Sequence, residues 1–299
     1  MADCMQLLLN GLVAGSGLAL VGGSLHLVRS CNGFFDLTLA GLFTVAAYVA
    51  YSISTVVWDG WWMPFGSVLA VCGSIAAAAC VGYIIDSALF RRLRGRKASG
   101  GILLVAGWGG YQLIENLVAL VFGQDTVSLM PATAPSVVPL LGARVTSVNL
   151  ISFALACSAI LASVLFMRGT RSLRFRCVAS DPELAAVRGI PVDRVQSLAA
   201  VWAASLAALA GILQGMDSQL SPRMGFDSAL NGIAALLIGQ THGLAGVVGA
   251  AFGLSILQQA VAWIFGSQWQ NVSVFVLLLL ALIIRGARQT GGATEGRLA

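Results

Sequence analysis

Apolar residues run along this chain in blocks of about twenty, separated by short polar or glycine-rich interruptions. The blocks lie at 6–28, 29–54, 65–88, 101–123, 150–167, 196–214, 229–265 and 272–284. A helix of about twenty apolar residues spans the ~30 Å hydrocarbon core of a bilayer. Inside that core only structures that satisfy their own backbone hydrogen bonds are viable, and a helix is the local solution. The pattern therefore predicts an all-α, polytopic membrane helical bundle of about eight to ten transmembrane helices. Two blocks are broken. Residues 29–54 are interrupted at Arg29, Ser30, Cys31, Asn32 and Gly33, and residues 229–265 carry the polar insert Gln240, Thr241 and His242 among glycines. These breaks occupy corresponding places in two halves, 6–123 and 149–285, which points to inverted repeats with broken helices.

Between the fifth and sixth blocks the polarity reverses for longest, in RSLRFRCVASDPELAAVRG (171–189). Asp181 suits a helix N-cap, Pro182 the first turn, Gly189 a left-handed exit, and Pro191 stops continuation. Asp193 and Gln196 then have capping-box spacing for the next helix. A helix of about seven residues is only ~10 Å long and cannot cross a bilayer. It lies at the membrane surface, with Leu184, Val187 and Ile190 forming an apolar stripe at spacings of three. Two readings fit: a solvated loop that fixes orientation, or a docking helix offered to a soluble partner. From Gln124 to Asn149 the texture is β-branched and proline-punctuated (Pro131, Pro135, Pro139), a non-helical loop at the other surface.

Composition agrees: 58% of 299 residues are hydrophobic and 10% charged, against about a quarter charged in soluble domains. Mean hydropathy is +0.88. The chain reads as a single transmembrane domain, 1–299. The first block lacks a basic leader and a small-residue cleavage site, so it reads as a retained helix. Of the seventeen basic residues, fourteen fall in 91–97, 168–194 and 285–297. By the positive-inside rule those basic loops and the C-terminus are expected in the cytoplasm. No aromatics interleave with them, so nucleic acid is not an expected partner. Trp58, Trp61 and Trp62, around Asp59 and Gly60, read as an interfacial belt. The six cysteines have neither disulfide-framework nor metal-ligand spacing, and no metal site is expected. No nucleotide-binding or hydrolase motif occurs, so the chain is not read as an enzyme, and if ATP drives it another chain must bind and hydrolyse the nucleotide.

Polar groups inside apolar blocks are costly and mark function or interhelical bonds. Asp36 either caps the following helix near Arg29 or lines a path. Gln112 and Asn116 share a face with Glu115 bordering it, and Glu115 is the better path candidate because it is charged. His242 is either an ordinary hydrogen-bonded histidine or a ligand contact.

The segment Arg174–Leu213 resembles the coupling-helix region of ABC importer permeases of the branched-chain amino-acid type. That pattern runs D-x-x-x-A-x-x-x-G-I, then D-R-V and a small-residue helix ending in A-G. Asp181, Ala185, Gly189, Ile190, Asp193, Arg194, Val195, Ala210 and Gly211 fit it position by position. Further resemblance lies in Gly33, Ala47 and Tyr48 of a first-half motif, in Arg91, Leu93, Arg94 and Gly95, and in Pro222 and Gly225. At the centre of the first-half motif Asp36 stands for asparagine, and Leu37-Thr38-Leu39-Ala40 replaces F-A-H-G.

The resemblance implies ATP-driven alternating access in a bacterial cytoplasmic (inner) membrane. The cargo would be a small polar solute: a branched-chain amino acid, or a related amino acid, amide or urea-like compound. Implied partners are a homologous or identical permease subunit, two ATP-binding subunits and an extracytoplasmic solute-binding protein. No cofactor is expected on this chain, ATP and Mg being held by the ATPase subunits. The coupling segment would be 171–194, with ATPase contacts from Asp181, Pro182, Glu183, Leu184, Val187, Arg188 and Gly189. The pathway would draw on Asp36, Thr38, Glu115, Asn116, Gln240 and His242. The competing possibility is an autonomous secondary transporter coupled to ions through Asp36 and Glu115.

Overall fold

The computed structural model describes residues 2–57, 63–129, 137–140, 143–168 and 172–295. The tryptophan belt at 58–62, Pro131 and Pro135, Arg171 and Arg297 lie outside the described residues. Among the described residues the regular structure is helical apart from one hairpin of Val137–Leu140 (β1) and Ala143–Thr146 (β2), within the expected non-helical loop, and an isolated bridge between Val127 and Leu220. The helices are α1 (Ala2–Asn32), α2 (Thr38–Val57), α3 (Met63–Ile85), α4 (Arg91–Gly95), α5 (Gly100–Phe122) and α6 (Ser147–Arg168). They continue as α7 (Ser172–Ser180), α8 (Pro182–Val187), α9 (Val192–Asp217), α10 (Met224–Gly239), α11 (Gly243–Phe265) and α12 (Gln270–Glu295).

By length and apolarity, seven helical stretches among the described residues suffice to cross a membrane. One is the 42-residue run Met224–Phe265. As a single rod it would measure ~63 Å, twice the hydrocarbon core. A 3₁₀ turn at Gln240–His242 folds it into a hairpin of α10 and α11, in which Gly239 and Gly246 bring the two backbones into contact. Counted by arm, and with the shorter apolar stretch Gln270–Ala281 of α12, nine apolar helices among the described residues are candidates for the membrane, within the expected range.

The core forms where α1, α2, α9, α10 and α11 meet, and it is made largely of alanine, glycine and leucine. Small residues let backbones approach closely, which is how helices bind one another where lipid removes the hydrophobic drive. Along α9, Ala199, Ala203, Ala204, Ala207 and Ala208 are all but fully buried. A Cβ at Gly211 would collide with the Phe43 carbonyl of α2, and one at Gly225 with the Ala40 carbonyl. α11 runs antiparallel to α1, with Ile256, Phe252 and Val247 facing Gly11, Gly15 and Gly22.

The first break is deeper than a surface loop. Residues 33–37 climb into the bundle, so that Leu37 lies against Gly107 and Thr38 against Gly110, about 10–15 Å along α5 from its start. α10 also begins inside the bundle, because Gly225 rests on Ala40 near the start of α2. With sixteen residues, α10 is ~24 Å long and short of a full crossing. The second break is present at Gln240–His242, but the first is displaced: Arg29, Ser30, Cys31 and Asn32 continue α1, and the chain leaves the helix only from Gly33 to Leu37, where Gly33 takes φ +78°.

One correction concerns 91–97. The run FRRLRGRK is helical as far as Gly95, not a loop: α3 continues through a π-helical segment Asp86–Phe90 into α4. Asp86 is buried at this register shift, where Arg94 Nη2 donates to its Oδ1 at 2.9 Å and Ser197 Oγ to its Oδ2 at 2.6 Å. The pair ties α3, α4 and α9 together at the end of the bundle that carries the basic segments.

Candidate functional site

At that basic end, α7, α8 and the start of α9 form a small platform around Phe175, Val178, Ala185, Val195 and Ala199. The local sequence explains α8. Asp181 Oδ1 accepts from the amides of Glu183 at 2.9 Å and Leu184 at 3.0 Å, and Pro182 sits where no amide is required. At the other end Gly189 has φ +78°, Ile190 N donates to the Ala185 carbonyl and Gly189 N to the Ala186 carbonyl. Those two bonds form a Schellman ending, in which the residue after the left-handed glycine folds back onto the helix. Ile190 is therefore half-buried on the platform and does not extend the exposed stripe, which consists of Leu184 and Val187 alone. Leu184 is 51% and Val187 84% exposed.

A second correction concerns the start of α9. Pro191 occupies the N-cap, and the Asp193/Gln196 capping box does not form. Gln196 Nε2 donates to the Cys31 carbonyl at the end of α1, and Asp193 pairs with Arg91 at 3.3 Å. Glu183 faces Lys97 at 3.8 Å, both largely in solvent. The α8 platform thus rests on the ends of α1 and α4 as well as α9. The SLRFRCVAS segment (172–180), expected as loop, is the helix α7. Its buried Phe175 and Val178 lie three apart, and Arg174 and Arg176 are exposed.

The six expected pathway residues do not gather in one place. Asp36 is buried and caps α2, accepting from Thr38 N at 2.9 Å and Thr38 Oγ1 at 2.6 Å. Its expected neighbour Arg29 lies over the Phe35 ring instead, 4.4 Å from the centroid. Glu115 on α5 accepts from Arg223 Nε at 3.1 Å, closing the segment before α10 against α5. Asn116 Nδ2 donates to the Gln112 carbonyl at 2.7 Å and remains exposed on α5. Gln240 donates to the Leu237 carbonyl, and His242 is exposed beside the α10–α11 turn.

The polar groups that do converge are others. A cavity of about 360 Å³ lies among α1, α6, α9, α10, α11 and α12. Its mouth is at the end remote from α8, where Asn149, Asp217, Ser218 and Asn271 stand at helix ends. Its floor reaches Val21 and Asn231 deep in the bundle. Ser228 Oγ donates to Gln214 Oε1 at 3.2 Å on its wall. The sequence held a partial signal for this site: Asp227 and Asn231 are one turn apart, and Gln258–Gln259 interrupts an apolar helix.

The sequence profile of the "Branched-chain amino acid transport system / permease component" family matches residues 7–284. The chain belongs to that family. The permease is 26% identical to LivH of Escherichia coli K12, described as a high-affinity branched-chain amino acid transport system permease protein, over 94% of this chain and 93% of that protein. LivH of Salmonella typhimurium is 27% identical over the same shares, and BraD of Pseudomonas aeruginosa 26% identical over 94% of each chain. No solved structure matches the permease significantly. It is a multi-pass membrane protein and a transport subunit, with no enzyme activity implied by its family.

Proposed function

We propose that the permease is the membrane half of an ATP-driven importer, and that α8 is the handle by which ATPase subunits move it. The observation that carries this reading is α8 itself: a capped helix of six residues, rigidly seated by Ala185, that holds Leu184 and Val187 out into solvent. Exposed apolar pairs on a rigid platform are costly to solubility and suit a protein partner. In this reading the basic end faces the cytoplasm, and the permease pairs with a homologous or identical subunit, two ATP-binding subunits and an extracytoplasmic solute-binding protein. ATP and Mg bind to the ATPases. The cargo is a branched-chain amino acid, as the names of LivH and BraD suggest, or a related amino acid, amide or urea-like compound.

The ion-coupled alternative relied on Asp36 and Glu115. Both carboxylates already have partners within the chain, Asp36 in a helix cap and Glu115 with Arg223, which leaves neither as a ready ion carrier. The two readings separate in whole cells. With ATP depleted and the proton gradient maintained, uptake is expected to fall to background. Uptake sustained by the gradient alone would favour the ion-coupled carrier.

A further inference from the structure

The 360 Å³ cavity belongs to one subunit, and its chemistry is one-sided. Its described lining includes two carboxylates, Asp217 and Asp227, with carboxamides from Gln214, Asn231 and Gln258, and no lysine, arginine or histidine. Hydroxyls of Ser16 and Ser255, both nearly inaccessible, complete the wall. Six helices, α1, α6, α9, α10, α11 and α12, each turn polar side chains to the same void. Gln214, Asp217 and Asp227 are open to solvent through the mouth, so water and a solute of matching size can reach them, while Ser16 and Ser228 are already bonded within the wall. Small-molecule sites have volumes of about 300–1,000 Å³.

We propose that this well is a binding site for the ammonium group of a small solute, with Asp217 and Asp227 as the charged partners. The proposal rests on the importer reading and adds to it a location within a single protomer and the group that is recognised. Asp217 accepts from Asn149 and the nearby Arg223 is engaged with Glu115, so the lining itself carries two carboxylates and no basic side chain, which favours a cation. A cleft of one sign with low-dielectric walls concentrates counter-charge by ~10- to 1,000-fold. The carboxamides and hydroxyls supply further hydrogen-bond partners for an N–H-rich group. A solute carboxylate finds no cation here, so it points to the mouth or to another chain.

The test uses the full chain assembled with its partners in membranes, with Asn231→Cys on the cavity floor as reporter. Exposed Gln124→Cys outside the cavity is the reference, and the parent chain is the blank for native cysteines. Two thiol reagents of similar size are compared, methanethiosulfonates bearing a trimethylammonium or a sulfonate. The cation-to-anion rate ratio is expected to be at least tenfold higher at position 231 than at 124. It should fall to within about twofold of the reference in Asp217→Asn/Asp227→Asn. Millimolar 3-methylbutylamine is expected to slow modification at 231 at least threefold, while the neutral isostere 3-methylbutanol does not. Asp227→Asn alone, expected to lose most of that protection, serves if the double variant is poorly produced. Equal ratios at the two positions overturn the proposal. So does equal protection by amine and alcohol, or cation enrichment without amine protection, which would describe a hydrated vestibule. Because the readout is thiol accessibility, these failures are distinct from failure of the importer reading, which the ATP-depletion experiment addresses.

Discussion

Gly211→Ala is expected to lower the thermal midpoint of the purified permease by about 10 °C and to reduce its yield from membranes. The single methyl group has nowhere to go: an ideal Cβ at 211 falls onto the Phe43 carbonyl oxygen and within 3.2 Å of the Phe43 Cα. A flexible side chain could turn aside, but a backbone carbonyl inside a helix cannot, so α2 and α9 must separate. That separation opens the alanine-rich seam above and below the contact, where dispersion falls off steeply with distance. Overpacking in a tight core costs about 1–3 kcal/mol and occasionally more, and about 1 kcal/mol moves the midpoint of a domain near this size by a few degrees. Gly249→Ala is the control, since a Cβ there meets nothing within 4 Å and should leave the midpoint unchanged or slightly raised. Equal behaviour of the two variants would mean that α2 and α9 do not approach as described.

Asp86→Ala is expected to destabilise the permease by roughly 3–5 kcal/mol, the range for breaking a buried ion pair by removing one partner. The Arg94 side chain is only 12% exposed, and its charge would be left facing protein. Ser197 would lose its acceptor at the same time. In Asp86→Ala/Arg94→Met neither charge remains, and most of the loss should be recovered. Thermal denaturation of both variants in detergent checks this. A single variant indistinguishable from the parent, or a double variant worse than the single, would contradict the role assigned to the pair. The exposed pairs Arg91–Asp193 and Lys97–Glu183 carry no such expectation, because solvent screens them.

Local signals in the sequence carried far in some places and not in others. Asp181, Pro182 and Gly189 define α8 because capping is settled by residues within one helical turn. Ile190 was misplaced because its orientation depends on the Schellman fold-back, which turns a residue that counts as exposed by spacing onto Ala185 and Val195. Gln196 has capping-box spacing, yet the end of α1 offers its amide the Cys31 carbonyl, a contact 165 residues distant in sequence. α7 was hidden by its arginines, which mask the short apolar spacing of Phe175 and Val178. The polar cavity was the least legible feature. Gln214, Ser228, Asn231 and Gln258 each look like an isolated polar residue in an apolar helix, and only the packing of separate helices brings them to one void. The deep breaks were visible from glycine and polar interruptions, but the depth to which 33–37 climbs into the bundle follows from contacts with α5.

The account depends on Leu184 and Val187 being the surface that a nucleotide-hydrolysing partner grips. Burying an unpaired carboxylate in an apolar contact is strongly unfavourable, and at about 1.4 kcal/mol per tenfold, two of them should weaken docking at least a hundredfold. The decisive measurement is solute uptake by Leu184→Asp/Val187→Asp at matched membrane abundance, with ATPase co-purification followed in parallel. Both are predicted to fall to background. Uptake at the parental rate in a normally inserted protein would contradict the account.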